Sequence, residues 1–98
     1  MTGQTERGDF QVTCSRKSTT PQGQTLIAIG GHDGEDHWLI PIDMAIAWIE
    51  NRTARFFTAA NGQFVWLTIR TYESGRKTLA TEADDATTSF LLILQECP

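Results

Sequence analysis

The chain has 98 residues, of which 40% are hydrophobic and 9% aromatic, and its formal net charge is −4. This length and composition are typical of one small globular domain and exclude a disordered, low-complexity chain. An acidic domain repels a phosphate backbone, and the only adjacent basic pairs are Arg16–Lys17 and Arg76–Lys77. We therefore expect no general nucleic-acid binding.

The sequence contains neither a secretory signal nor a membrane span that we can identify. The first nine residues lack an apolar segment, and the longest apolar run, FLLIL at 90–94, is far shorter than the roughly 20 residues that cross a bilayer. We expect a cytoplasmic protein that makes no membrane contact. In that compartment Cys14 and Cys97 are predicted to be reduced thiols that serve packing.

The first part of the chain reads as strands separated by turns. Residues 1–8 are polar and are expected to form a flexible N-terminus before a single domain over 9–98. DFQVTCSR at 9–16 alternates apolar with polar side chains, which predicts a strand. The next segments are a turn at 18–24 (STTPQGQ), a strand at 25–31 (TLIAIGG) and a second apolar segment at 37–40 (HWLI).

One helix is predicted, from Ile42 to about Asn51. Pro41 precedes it, a place where the missing N–H costs nothing because the first turn has no intrahelical partner for it. The apolar residues Ile42, Ala45, Ile46 and Ile49 recur at helical spacing and form one stripe that should face the core.

The second half of the chain predicts a meander of strands. Asn61-Gly62 separates TARFFTAA from QFVWLTIRTY, and both positions tolerate positive φ, so this dipeptide predicts a tight hairpin. Val65, Leu67 and Ile69 on the second strand should pack against the helix stripe. The remaining segments are a third strand at 77–83 (KTLATEA), a loop at 84–89 (DDATTS) and either a closing strand or a buried coil at 90–94 (FLLIL).

These elements together predict an α+β fold. One α-helix should cover a mainly antiparallel β-sheet of four to five strands, which gives a two-layer domain in β-β-α-β-β-β order.

Six short motifs follow one another between about Phe10 and Pro98: VTCSRKS, IAIGG, a Trp followed by AIAWIE, GQFVWLTI, SGRKTLATEAD and LLILQECP. In their order and spacing they resemble a small bacterial family catalogued as Domain of Unknown Function 3892. The chain departs from the family pattern at Pro41 and Met44, at Thr78 and at Asp85. The resemblance implies a fold but supplies no active site, and a fold does not by itself imply a function.

The polar segment GGHDGED at 30–36 is the strongest candidate for chemistry. It lacks the lysine of a phosphate loop and the ligand spacing of a calcium-binding loop. His32 and His37, with Asp33 or Asp36, are acceptable ligand types for a transition metal. The alternative function is therefore a metal-dependent enzyme or metal sensor, although a solvated turn with no metal or other cofactor is the preferred interpretation.

No motif of nucleophilic catalysis is present, and we expect no enzymatic activity.

Apolar residues occupy faces of the helix and sheet that the predicted core does not need. Met44 and Trp48 lie opposite the helix stripe. The candidate partner-binding residues on the sheet face turned away from the helix are Phe64, Trp66, Arg70 and Tyr72. The N-terminal strands and FLLIL are the alternative cover for these faces.

The preferred function is therefore that of a non-enzymatic binding or self-associating domain. Its partner would be another protein or a second copy of the chain in a homodimer. One form of this hypothesis is a phage-type inhibitor that occupies a basic site on a larger protein. Its acidic surface would then imitate phosphate charge through Glu35, Asp36, Asp84 and Asp85.

Overall fold

The computed structural model describes residues 8–21, 23–33, 35–60, 62–84 and 89–97, so the predicted flexible N-terminus lies almost wholly outside the described residues. Within these ranges the fold is α+β, with one helix and mostly sheet. The elements are β1 (Gly8–Gln11), β2 (Cys14–Thr20), β3 (Gly23–Asp33), β4 (Asp36–Pro41), α1 (Ile42–Glu50), β5 (Ala54–Ala60), β6 (Gln63–Thr71) and β7 (Lys77–Thr81). No helix in the described part of the chain is long and apolar enough to cross a membrane.

The strands form two sheets, so the single sheet predicted from the sequence is not what the structure shows. One sheet has the order β2-β3-β4 and is antiparallel throughout. The other has the order β1-β5-β6-β7, in which β1 pairs with β5 in parallel and the other pairs are antiparallel. The helix contacts β3 and β4 of the first sheet and β5 and β7 of the second, and so packs on both.

The predicted strand over 9–16 is in fact two strands that belong to different sheets. The chain changes sheet at two consecutive residues: the Val12 N–H donates to the Phe57 carbonyl at 2.8 Å, and the Thr13 N–H donates to the Gly30 carbonyl at 2.9 Å. Alternation of side chains continues through this point, which is why the sequence pattern reads as one strand.

The predicted helix and hairpin are confirmed. Helix α1 begins directly after Pro41, whose φ of −63° and ψ of 151° are extended, and it makes no side-chain cap. In the hairpin, Ala60 pairs with Gln63 in antiparallel register, which leaves a two-residue connection. Gly62 has a φ of +79°, the conformation that glycine adopts at no steric cost, while Asn61 lies outside the described residues.

The core lies between the helix and the two sheets. Its buried residues are Val12, Leu26, Ile29, Ala45, Ile46, Ala54, Phe56, Leu67, Leu79 and Leu91. Of the predicted contacts, Ala45, Ile46 and Leu67 belong to this core, and the partly buried Ile42, Ile49 and Ile69 pack against it. Val65 is only half-buried and is not part of the cluster. The FLLIL segment is a coil, not a strand, and buries Leu91 completely.

The structure contradicts the predicted free thiols, because a disulfide joins Cys14 to Cys97 with an S–S distance of 2.13 Å. Hydrogen bonds from residues that follow Cys14 also attach the C-terminal segment to the edge strand β2. Ser15 Oγ donates to the Leu91 carbonyl at 2.6 Å, and Lys17 Nζ donates to the Leu94 carbonyl at 2.7 Å. A separation of 83 residues gives no sequence signal of this proximity.

Gly30 and Gly31 lie inside β3 rather than in a turn, and close packing explains both. A Cβ on Gly30 would lie 2.9 Å from each Sγ of the disulfide and 2.7 Å from the Trp38 carbonyl oxygen. A Cβ on Gly31 would collide with the Gln11 carbonyl oxygen. The glycine pair therefore allows β1, β3 and the disulfide to approach one another.

Candidate functional site

Two exposed aromatic rings of β6 and a half-buried ring of β5 meet on one face of the four-stranded sheet. Phe57 lies directly opposite Trp66 in the β5–β6 register, with ring centroids 5.8 Å apart and an interplanar angle of 76°. Phe57 also meets Phe64 edge to face, at 5.4 Å and 89°. Phe64 is 67% exposed and Trp66 37% exposed, so much of this ring cluster faces outward. We call Arg55, Phe57, Phe64 and Trp66 the aromatic sheet surface.

Arg55 completes the aromatic sheet surface, with its guanidinium 4.3 Å from the centroid of the Trp66 ring. Asp9 on the adjacent β1 strand fixes this geometry. Arg55 Nε donates to Asp9 Oδ1 and Arg55 Nη2 donates to Asp9 Oδ2, both at 3.0 Å. An exposed pair of this kind adds little stability. Its effect is to hold the guanidinium over the indole ring and to neutralise its charge locally.

The sequence identified half of this surface. Phe64 and Trp66 lie where alternation predicts them, whereas Arg55 and Phe57 were missed. A signal for Phe57 did exist: a two-residue turn at Asn61-Gly62 places Phe57 opposite Trp66 by register alone. No local pattern could show that Arg55 stacks on Trp66, because that contact depends on the parallel β1 strand.

Arg70 and Tyr72, which the sequence assigned to the same face as Trp66, line a different feature. They border a cavity between β3, α1, β6 and β7, together with Arg76 and Lys77. The Arg76 guanidinium lies 5.2 Å from the centroid of the Tyr72 ring. The predicted group of four aromatic and basic residues is therefore divided between two places.

The helix face with Met44 and Trp48 is exposed, as predicted, but the two side chains differ in their surroundings. Met44 is 44% exposed. Trp48, at 36%, lines an apolar cavity of about 260 Å³ beside the packed rings of Phe10, Trp38 and Phe56. Part of the Trp48 ring therefore already has neighbours within its own chain.

His32 and His37 lie opposite each other in the β3–β4 pair, with ring centroids 4.3 Å apart, and both are exposed. The predicted polar turn is therefore mostly paired strand, which extends to Asp33 and Asp36. In the described ranges no group of three histidine, cysteine, aspartate or glutamate residues is placed to hold a metal ion.

The predicted acidic surface is only partly as expected. Glu35 and Asp36 are exposed at the end of the β3–β4 hairpin. Asp84, in contrast, is partly buried, and its Oδ1 accepts hydrogen bonds from Thr81 Oγ1 at 2.7 Å and from the Phe90 N–H at 3.1 Å. Asp84 therefore organises the chain after β7 instead of presenting charge, while Asp85 lies outside the described residues.

No protein-family model, no curated protein and no solved structure matches this chain. The resemblance to Domain of Unknown Function 3892 therefore stays a prediction.

Proposed function

We propose that this protein is a non-enzymatic binding domain that contacts another protein through the aromatic sheet surface. The observation that supports the proposal most strongly is the exposure of Phe64 beside Trp66, on rings that contact a third aromatic side chain. Aromatic residues and arginine are the types that concentrate at protein interfaces and contribute most of their binding energy.

The arrangement of this surface also favours binding on entropic grounds. Ordering flexible side chains at an interface costs about 0.5–1.5 kcal/mol for each one. Phe57 lies between Phe64 and Trp66, and Arg55 is held over Trp66 by Asp9, so contacts within the chain already restrict these side chains. Because Asp9 compensates the charge of Arg55, the complementary partner surface would be apolar rather than acidic.

The inhibitor form of this proposal has less support than plain protein binding. Of the four acidic residues that would imitate phosphate, Glu35 and Asp36 are exposed at the hairpin end, and Asp84 is occupied by internal hydrogen bonds. An inhibitor of a phosphate-binding protein would have to use the β3–β4 hairpin.

A metal-dependent enzyme or metal sensor is the alternative proposal. Its supporting observation is that His32 and His37 face each other across the hairpin, which offers two imidazole ligands. Protein zinc sites need three or four protein ligands. Since the described residues place no third ligand with the two histidines, we prefer protein binding.

The cytoplasm stays the proposed location on sequence grounds alone, and the Cys14–Cys97 disulfide favours an oxidising compartment instead, so the state of these two cysteines in cells is the test. Disulfides persist mainly in oxidising compartments, so a chain in the reducing cytoplasm should keep both thiols free. Cells can be quenched in acid and the chain labelled with a maleimide before and after reduction. Labelling before reduction would support the cytoplasm, and labelling only after reduction would contradict it.

Protein binding is tested by two variants that remove equally exposed apolar side chains. Phe64→Ser removes the most exposed ring of the aromatic sheet surface, and Ile93→Ser removes a side chain that is 68% exposed in the C-terminal segment. Sedimentation of the purified chain measures self-association, and quantitative co-purification from the source cells measures association with other proteins.

We expect Phe64→Ser to weaken association at least tenfold, equivalent to about 1.4 kcal/mol, and Ile93→Ser to leave it unchanged. Equal association in both variants, or an equal loss in both, would contradict the proposal. Sedimentation also decides whether the partner is a second copy of this chain, since only then does the loss occur in the purified protein.

A further inference from the structure

A cavity of about 240 Å³ lies between the start of β3, the first turn of α1, the β6–β7 hairpin and the C-terminal segment. Its apolar lining includes Leu26 and Leu79, both almost fully buried, together with the partly buried Ile42 and Leu92. Its polar lining includes Asp43, Arg70, Tyr72, Arg76 and Lys77. We call this feature the basic cavity.

Positive charge is concentrated at the basic cavity although the protein as a whole is acidic. Three of the eight lysine and arginine residues of the chain line it. Lys77 is engaged by Glu50 through a hydrogen-bonded ion pair. Within the described part of the chain, Arg70 makes no hydrogen bond or ion pair, and Arg76 contacts the ring of Tyr72. Two guanidinium groups therefore remain available to a ligand.

The lining has the character of a small-molecule site, in which an apolar wall accommodates the body of a ligand and a few polar groups fix its orientation. Arginine is the side chain best suited to bind the two oxygens of a carboxylate or phosphate, through a pair of parallel hydrogen bonds. The backbone N–H groups of the first turn of α1 add a weak positive potential where Ile42 lines the cavity.

We propose that the basic cavity binds a small organic anion: a carboxylate or phosphate group held by Arg70 and Arg76, on an apolar body that contacts Leu26 and Leu79. The volume is below the roughly 300–1,000 Å³ of sites for drug-sized ligands. A single ring or a short acyl chain is therefore the appropriate size. This site is separate from the aromatic sheet surface and does not depend on the proposed protein binding.

Asp43 offers a second test of charge recognition, because this residue lines the same cavity and its negative charge opposes an anion. Replacing Asp43 with Asn should strengthen the binding of an anion, whereas replacing Arg70 or Arg76 with Gln should weaken it. Opposite effects of these variants are specific to charge recognition. Loss of structure would weaken binding in every case.

The test uses phenyl phosphate and benzoate as probes, benzyl alcohol as the neutral control of similar shape, and inorganic phosphate as the control without an apolar body. Amide chemical shifts of the labelled protein locate each probe, and titration gives its affinity. Arg52→Gln is the matched control variant, since it removes an exposed charge that does not line the cavity.

We expect saturable shifts at cavity residues for one or both organic anions, and affinities at least fivefold weaker for benzyl alcohol and for inorganic phosphate. Arg70→Gln and Arg76→Gln should each weaken binding at least fivefold, Asp43→Asn should strengthen it two- to threefold, and Arg52→Gln should leave it unchanged. The better of the two organic probes identifies the anionic group as phosphate or carboxylate. Absence of saturable shifts, equal binding of benzyl alcohol, or an equal effect of Arg52→Gln would overturn the proposal.

Discussion

The bridge between Cys14 and Cys97 should contribute a large share of the stability of this small domain, and serine at both positions removes it. The C-terminal segment would still have Leu91 in the core and the hydrogen bonds that Ser15 and Lys17 make to its carbonyl groups. We therefore expect the native structure to persist in the double variant, so that the main effect falls on the unfolded chain.

The expected magnitude follows from the length of chain that the bridge closes. For the separation of 83 residues, the chain-entropy relation gives a stabilisation of about 4.5 kcal/mol at 25 °C. Measured losses on removing a native disulfide from a small domain are about 2–5 kcal/mol. Since small proteins have a total stability of only about 5–15 kcal/mol, removal should be plainly visible.

Urea unfolding of the purified oxidised protein and of the double-serine variant, followed by tryptophan fluorescence, measures the difference in free energy of unfolding. The control is a reductant, which should destabilise the original protein and leave the double-serine variant unchanged. A difference below about 1 kcal/mol, or an original protein that is insensitive to reductant, would refute the reasoning.

Three further predictions concern the strands and the helix. Gly31→Ala should lower the free energy of unfolding, measured with urea, by about 1–3 kcal/mol, because the new Cβ would collide with the Gln11 backbone. A decrease below about 0.5 kcal/mol would show that β3 can shift to make room for it. Trp48→Ala should lower the free energy of unfolding by about 2 kcal/mol, less than the roughly 3–5 kcal/mol lost when a fully buried aromatic ring is removed, because the Trp48 ring is partly exposed. A larger decrease would show that Trp48 belongs to the core. Micromolar zinc or nickel should leave the melting temperature unchanged, and a rise of several degrees that disappears in His32→Ala or His37→Ala would establish a metal site.

The parts of the fold that were predictable from the sequence are those fixed by neighbours along the chain. The apolar spacing from Ile42 to Ile49 defines the helix, and Asn61-Gly62 defines both a turn and the register of the strands beside it. Each depends on backbone geometry within a few residues.

The parts that were missed depend on contacts between distant segments. Apolar and polar residues alternate in the same way before Val12 and after Thr13, although the chain passes from one sheet to the other at these two residues. The parallel pairing of β1 with β5 and the disulfide likewise join residues far apart in sequence, and no local pattern records them.

In the candidate site, too, the features set by neighbours along the chain were predictable and those set by distant segments were not. Phe64 and Trp66 were correctly placed on one exposed face. Arg70 and Tyr72 were assigned to that face by alternation, but β6 pairs with β5 along its first half and with β7 along its second half. Residues on one face of β6 therefore have different neighbours at its two ends, which separates the aromatic sheet surface from the basic cavity.

Site-specific photo-cross-linking tests the central claim most directly, because it reports contact at one position in the intact chain. A benzophenone amino acid replaces Phe64 in one preparation and Ile93, the equally exposed control, in another. The proposal predicts a light-dependent covalent adduct with a protein, either a second copy or a different chain, at position 64 and none at position 93. Absence of an adduct at position 64, or equal adducts at both positions, would contradict protein binding through the aromatic sheet surface.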